Sequence, residues 1–430
     1  MYKTLRVLIC AAILCLSQVT HAQNLGNTPY SRYGLGEINQ NLGNIRNAGM
    51  ANTGISAGNS YQANLINPAM LTYNGYTVFD VGVNGQVKKL DNGEQSQIDG
   101  SANLANVTLS IPVSKRWSSA LSLRPYSSVN YSIRTSSALE SNPDVTVREQ
   151  YQGDGDISEI YFGHGVRIAK GFTIGASASY LFGNITKESS SVITDEEIPF
   201  LEAEGVFYSE KTHYSGLLFR LGTNYRRELK ENLYMSAGAV YSLSADLDAE
   251  KFTSYERRLL DGTILQDSIL PSSAMRSVTV PTSFSAGVSV DNGTNLTVAA
   301  DISMQQWSNF KNVEGESEMN DAFRIGVEGE YVPDAASVSS YLKRVTYRSG
   351  LYYSKTPYEI NGESINDKGF TFGFTFPIGR STIYDMYQLN TAFGVGQRGT
   401  TDNGLIAEQY FQFSVGVTIN SRWFIKRRLE

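Results

Sequence analysis

The 430-residue chain is poor in the residues that most often carry chemistry: it has two cysteines and three histidines. Cys10 and Cys15 both lie in "VLICAAILCL", an apolar run preceded by Lys3 and Arg6 and followed by "THAQ" with Ala22. Positive residues, an apolar core and a small-residue exit predict a secretory signal peptide over residues 1–22. The run is well short of the roughly 20 residues of a membrane-spanning helix. Neither cysteine follows a small residue, as a lipoprotein signal requires. Cleavage removes both cysteines and His21, leaving His164 and His213. A disulfide framework, a thiol nucleophile, a cysteine-rich zinc site and a multi-histidine metal cluster are thereby excluded. No metal and no cofactor is expected.

Charge is also scarce, at 18% of residues with a net of −6, and no basic patch suits nucleic acid. There are 11 prolines, and no other apolar run approaches transmembrane-helix length. What the chain does have is 39 Gly, 26 Tyr and 19 Phe. Two classes fit: a large secreted β-protein, or an outer-membrane β-barrel, whose alternating strands hide their hydrophobicity from a window average.

Alternation recurs along the chain. Phe79, Val81, Val83 and Val87 share one parity, and Val78, Asp80, Gly82, Asn84 and Gln86 the other. Leu217, Phe219, Leu221 and Tyr225 oppose Gly216, Arg220, Gly222, Asn224 and Arg226; Phe370, Phe372, Phe374 and Phe376 oppose Thr371, Gly373 and Thr375. Period two with one apolar face is a strand between two environments. The connections separate a barrel from a sandwich. Short links ("VSKRW", "AKGF", "RELKEN", "DNGTN", "IGRST") alternate with long polar ones, among them Leu90 to Asn103, Thr135 to Asp156, Lys187 to Glu210 and Asp246 to Arg276. Only Val332 to Arg344, due to be short, breaks the rhythm. Short periplasmic turns and longer outer loops are the transmembrane-barrel pattern. The sequence therefore predicts an all-β fold, a transmembrane antiparallel β-barrel of about 14 strands over residues 76–425. Trp117, Tyr180, Tyr352, Tyr353 and Trp423 are candidates for the interfacial aromatic girdles.

On the inward parity lie Asp80, Lys88, Glu159, Arg167, Arg220, Arg226, Asp301, Arg324 and Glu328. They form either a salt-bridged filling or contacts for a ligand's polar head; Arg220, Arg226, Asp301 and Arg324 are the candidate lumen contacts. Residues 23–75 are rich in Gly, Asn and Ala with few large apolar side chains, so they can fold only against something else. A hatch inside the barrel is expected, with Asn67-Pro68-Ala69 turning the chain out of it into the first strand. Pro125, in the middle of the third strand, donates no ladder bond and predicts a bulge, edge or break. Residues 426–430 are read as a basic periplasmic tail with Lys426, Arg427 and Arg428, either solvated or docked on a periplasmic partner. Both termini are then periplasmic.

Four ordered stretches carry a family resemblance: "LINPAMLT", "VTLSIPVSKRWSSALSL", "VPTSFSAGVSV" and "VAADISMQQWSNF". The chain resembles the FadL-like outer-membrane transporters of long-chain fatty acids and hydrocarbons. Its C-terminal part, "YRSGLYYSKTPYEINGESI" through "RWFIKRRLE", is more similar to the Bacteroidota branch of such barrels. The resemblance implies a fourteen-stranded barrel with an N-terminal hatch, and a hydrophobic small molecule captured outside and released sideways into outer-membrane lipid at a kinked third strand. Arg124, Pro125, Tyr126 and Ser127 would border that window. A different role is also implied by resemblance, since barrels of this kind serve as subunits of outer-membrane secretion or assembly complexes with outer-membrane or periplasmic protein partners. Catalysis is not expected, because neither His164 nor His213 sits in a nucleophile motif.

Overall fold

The computed structural model describes residues 27–194, 203–270, 275–317, 319–379 and 385–422. The predicted signal peptide, Trp423 and the basic tail lie outside the described residues.

Fourteen wall strands form from the described residues. They are β1 (Thr77–Asp91), β2 (Ser96–Ser114), β3 (Trp117–Leu139), β4 (Asn142–Ala169), β5 (Phe172–Thr194) and β6 (Glu204–Lys230). β7 is broken into Leu233–Ser242 and Ala245–Leu259, and β8 into Ile264–Ile269, Arg276–Val280 and Ser283–Asp291. The circuit continues through β9 (Leu296–Gln305), β10 (Ala322–Tyr331), β11 (Thr346–Ile360), β12 (Glu363–Gly379), β13 (Met386–Arg398) and β14 (Ala407–Ser421). Neighbours pair antiparallel, and β14 returns to β1 in register from Ala407 opposite Asp91 to Ser421 opposite Thr77. The sheet is a closed barrel, as the alternation predicted.

The outward parity is apolar and exposed: Phe79, Leu121, Phe162, Phe219, Val288 and Leu351 all face away from the lumen. The inward parity of the same strands holds buried Asp80, Ser122, Tyr161, Arg220 and Ser289. Trp117, Tyr180 and Tyr353 are exposed on the outer face, as girdle residues must be. Tyr352 is not among them. One residue from Tyr353, it necessarily points the other way and lies inside against the Arg324 guanidinium, 4.1 Å from ring centroid to Cζ.

The long polar links differ from their sequence reading. Leu90 to Asn103 is not a loop: β1 and β2 run on to a tight turn at Asn92–Gln95. Thr135 to Asp156 likewise continues β3 and β4 to a turn between Leu139 and Asn142. Beyond an apolar surround both faces of a hairpin are wet, so period two disappears from the sequence while the backbone ladder persists. Val332 to Arg344 stays irregular at the short-turn end, ending in a 3₁₀ turn at Leu342–Arg344.

Residues 27–75 lie inside the barrel. They carry a two-residue strand (Glu37–Ile38), one helical turn, α1 (Ile45–Ala48), and a 3₁₀ helix (Pro68–Tyr73). Asn44 caps α1 by accepting from Arg46 N at 3.0 Å. Ile45, Met50, Leu65, Met70 and Leu71 are fully buried, although the segment has too few such residues to bury them against each other. Their partners are wall residues, as with Leu65 and Leu71 against Ala120 and Tyr161.

Candidate functional site

Asn67-Pro68-Ala69 stands at the start of the 3₁₀ helix that precedes β1. Pro68 opens the 3₁₀ helix, where a missing N–H costs nothing, and Ala69 N donates to Asn67 Oδ1 at 3.0 Å. Asn67 Nδ2 also reaches Thr223 O on β6 at 3.0 Å and Ile55 O at 2.8 Å. Glycines make the approach possible. A Cβ on Gly175 would stand 2.3 Å from Ala69 N, and one on Gly222 2.2 Å from Asn67 Oδ1.

The wall has a gap. β2 pairs with β3 only from Ser114 opposite Trp117 up to Val107 opposite Leu123. From there β2 continues as Ser96–Asn106, bonded to β1 alone, while β3 continues as Arg124–Leu139, bonded to β4. Pro125 stands where the β2 ladder stops, and a bulge lies between Pro125 and Ser127 against β4. Both features follow from a proline that has no N–H to give. All four predicted border residues, Arg124, Pro125, Tyr126 and Ser127, are at this place.

The inner segment takes the place of β2 along the β3 side of the gap. Glu37 and Ile38 pair antiparallel with Ser128 and Ser127. Asn39 N donates to Tyr126 O at 2.8 Å and its Nδ2 to Pro125 O at 2.9 Å. Farther out, Thr28 N donates to Asn130 O at 2.7 Å, and Asn27 exchanges two bonds with the Ser132 backbone. A cavity of about 350 Å³ remains between this segment and the β2 edge, lined by Asn27, Lys88, Asp99, Ser101, Asn103, Ser127 and Asp156 among others. Its lining is mostly polar.

Three buried ionic clusters hold the inner segment in place. In the first, Glu37 accepts from Arg398 at 2.6 Å and from Lys88 at 3.3 Å, and Arg398 also faces Glu408 (3.5 Å) and Asp367 (3.6 Å). Burial alone would raise the Glu37 carboxyl, but Arg398 and Lys88 overcome it and hold it far below the usual carboxylate range. In the second, Glu159 sits between Arg124 (2.9 Å) and Arg220 (2.6 Å), and the Arg124 guanidinium donates to Leu42 O of the inner segment. In the third, Glu330 sits between Arg46 of α1 (2.8 Å) and Arg348 (2.6 Å). Burial disfavours the Arg46 cation, yet Glu330 more than offsets this and raises its affinity for the proton.

The predicted lumen contacts are thus dispersed. Arg220 belongs to the Glu159 cluster. Asp301 Oδ2 accepts from Gly54 N at 2.6 Å and Ile55 N at 2.9 Å. Arg226 pairs with Asp291 at 2.6 Å near the short-turn end, apart from the others. Arg324 bonds Ala51 O at 3.0 Å and has no ion pair among the described residues. It borders a second cavity of about 150 Å³, shared by Leu218, Val240, Trp307 and Phe323. Sequence reading missed Glu37, Arg46, Glu330, Arg348, Arg398 and Glu408. No local signal marks them, since Glu37 and Arg398 are hundreds of residues apart and only barrel closure brings them together.

His164 lies on the outer face, 2.7 Å from Ser119 Oγ and stacked edge-on against Phe162. Among the described residues no carboxylate pairs with it to complete a triad.

The closed wall, interrupted between β2 and β3, and its occupied lumen define a β-barrel of FadL-like architecture. Similar solved structures have that architecture. The toluene transporter TodX of Pseudomonas putida aligns with TM-score 0.59 at 15% identity, covering 89% of this chain and 99% of that one. The toluene transporter TbuX of Ralstonia pickettii gives 0.56 at 15%, covering 89% and 100%. A FadL homologue of Pseudomonas aeruginosa gives 0.56 at 13%, covering 88% and 98%. At these identities the likeness is one of fold. A search of curated proteins returned no match. The BamG family model matches residues 1–430, and the chain belongs to the BamG family.

Proposed function

We infer that this barrel is a non-transporting subunit of an outer-membrane protein-assembly or secretion complex. Residues 27–75 act as a fixed hatch, the short-turn end faces the periplasm and the long hairpins face outward. The carrying observation is the character of the wall gap. Its β3 edge is occupied by hatch backbone, and the remaining space is lined mostly by polar side chains, Asn, Asp, Ser, Gln and Lys among them, with Val129 and Phe393 among the apolar minority. A path for a hydrocarbon needs an apolar surround. Here the space would have to strip water from carboxylates and amides at a cost no apolar cargo repays.

A second reading is uptake of a fatty acid or hydrocarbon with lateral release through the β3 gap. One observation favours it: the smaller, more apolar cavity places Trp307 and Phe323 beside Arg324, a guanidinium without a carboxylate partner among the described residues. Such a cation suits a fatty-acid headgroup.

Depletion of the protein separates the two. The subunit reading expects other outer-membrane barrels to fall in abundance while uptake of labelled palmitate and toluene is unchanged. Loss of uptake with normal barrel content would overturn it in favour of transport.

A further inference from the structure

The gap has two sides, and only one is filled. On the β3 side, backbone groups from Pro125 to Ser132 are met by Asn27, Thr28, Ser31, Glu37, Ile38 and Asn39. On the β2 side, residues Ser96–Asn106 pair with β1 and with nothing opposite it among the described residues. That is a free edge of about ten residues, roughly 33 Å of extended chain. Its N–H and C=O groups present a template for another strand, and natural barrels otherwise abolish such edges by closure.

The space beside the edge has the size and chemistry for a strand. The cavity of about 350 Å³ continues outward into one of about 630 Å³; Asp99, Asn130 and Asp154 border both. The buried Ser127 Oγ lines the first cavity and has no hydrogen-bond partner among the described residues. Three carboxylates, Asp99, Asp154 and Asp156, face the opening, and none forms an ion pair among the described residues. Of the four cations lining the two cavities, Lys88 is held by Glu37 and Glu408, Arg398 by Glu37, Asp367 and Glu408, Arg324 is turned to Ala51 O of the inner segment, and Arg134 stands at the outer mouth. The hatch shows that this gap accepts extended backbone, because Glu37–Ile38 already adds to the β3 edge as a short strand.

We propose that the free β2 edge, Ser96–Ala105, is a strand-addition site for an extended, lysine- or arginine-bearing segment of a partner protein. Main-chain bonds to β2 supply affinity, and Asp99, Asp154 and Asp156 select positive charge. An acyl chain is disfavoured there by the same polar lining. The inference rests on the subunit reading for its biological partner, but the edge can be tested without one.

The experiment is hydrogen exchange on the full chain in detergent, with two synthetic ten-residue peptides, one alternating Lys and Val and the other Glu and Val. In the isolated chain the seam-facing amides of residues 96–105 exchange fast. The lysine peptide should slow them at least about tenfold, the glutamate peptide should not, and D99N/D154N/D156N should abolish the effect. Unchanged exchange with the lysine peptide, equal protection by both peptides, or protection by added phospholipid alone would each overturn the proposal. The same readout on the native complex separates this inference from the reading above. A stable complex whose edge amides still exchange fast refutes the strand-addition site and leaves the subunit role intact. Peptide protection with no complex in the membrane does the reverse.

Discussion

Glu37 Oε1 accepts a hydrogen bond from Arg398 at 2.6 Å, tying the short strand that fills the wall gap to the far side of the closure, on β13. The same carboxylate receives Lys88 on β1. One side chain therefore connects the inner segment to the two barrel strands that flank β14.

Glu37→Gln should loosen that connection without opening the barrel. Arg398 keeps Glu408 and Asp367, so the wall stays neutralised. Amides of residues 27–41 should exchange roughly tenfold faster, equivalent to about 1.4 kcal/mol of local stability, while β12–β14 amides stay protected.

The pH dependence follows from the lowered Glu37 carboxyl. Its folded value lies below its unfolded one, so its contribution is fully present above the unfolded carboxylate pKa of about 4.3 and is lost as pH falls toward the folded value. Attachment of residues 27–41 should be constant from pH 8 to about 5 and weaken below about 4. Exchange rates corrected for intrinsic pH effects measure this. A loss between pH 8 and 6 would contradict it.

Glu159→Gln should be far more damaging than Glu37→Gln. It leaves Arg124 and Arg220 buried without a counter-charge, a change that costs about 3–5 kcal/mol. Thermal unfolding followed by the gel shift of the heat-modifiable barrel should show it. Replacing all three residues, as R124M/E159L/R220M, should recover most of the loss.

Gly175→Val should expel the junction. Its Cβ would meet Ala69 N at 2.3 Å, and neither backbone can yield. Gly329→Ala is the matched control, because nothing lies within 4 Å of its Cβ position. Protease should cut within residues 55–75 in the first variant and not in the second.

Much of the wall was legible because lipid on one side and polar contents on the other impose period two, as Phe370, Phe372, Phe374 and Phe376 display. The outer half of β2 was not, since Ile98 and Asp99 are both wet enough that neither parity is selected. Pro125 announced the break through its missing donor, a local property. Tyr352 misled because aromatic content alone carries no direction, whereas its parity against Tyr353 does. The ionic clusters stayed hidden because each joins the inner segment to wall strands far along the chain, and nothing near Glu37 or Arg46 encodes the partner.

The most direct test of the subunit role is native mass spectrometry on the protein gently extracted from its own outer membrane. A stable assembly with other proteins, and no fatty-acid-sized or hydrocarbon-sized adduct, is the result this account predicts. A monomer carrying such an adduct would contradict it and make the barrel a transporter of that molecule.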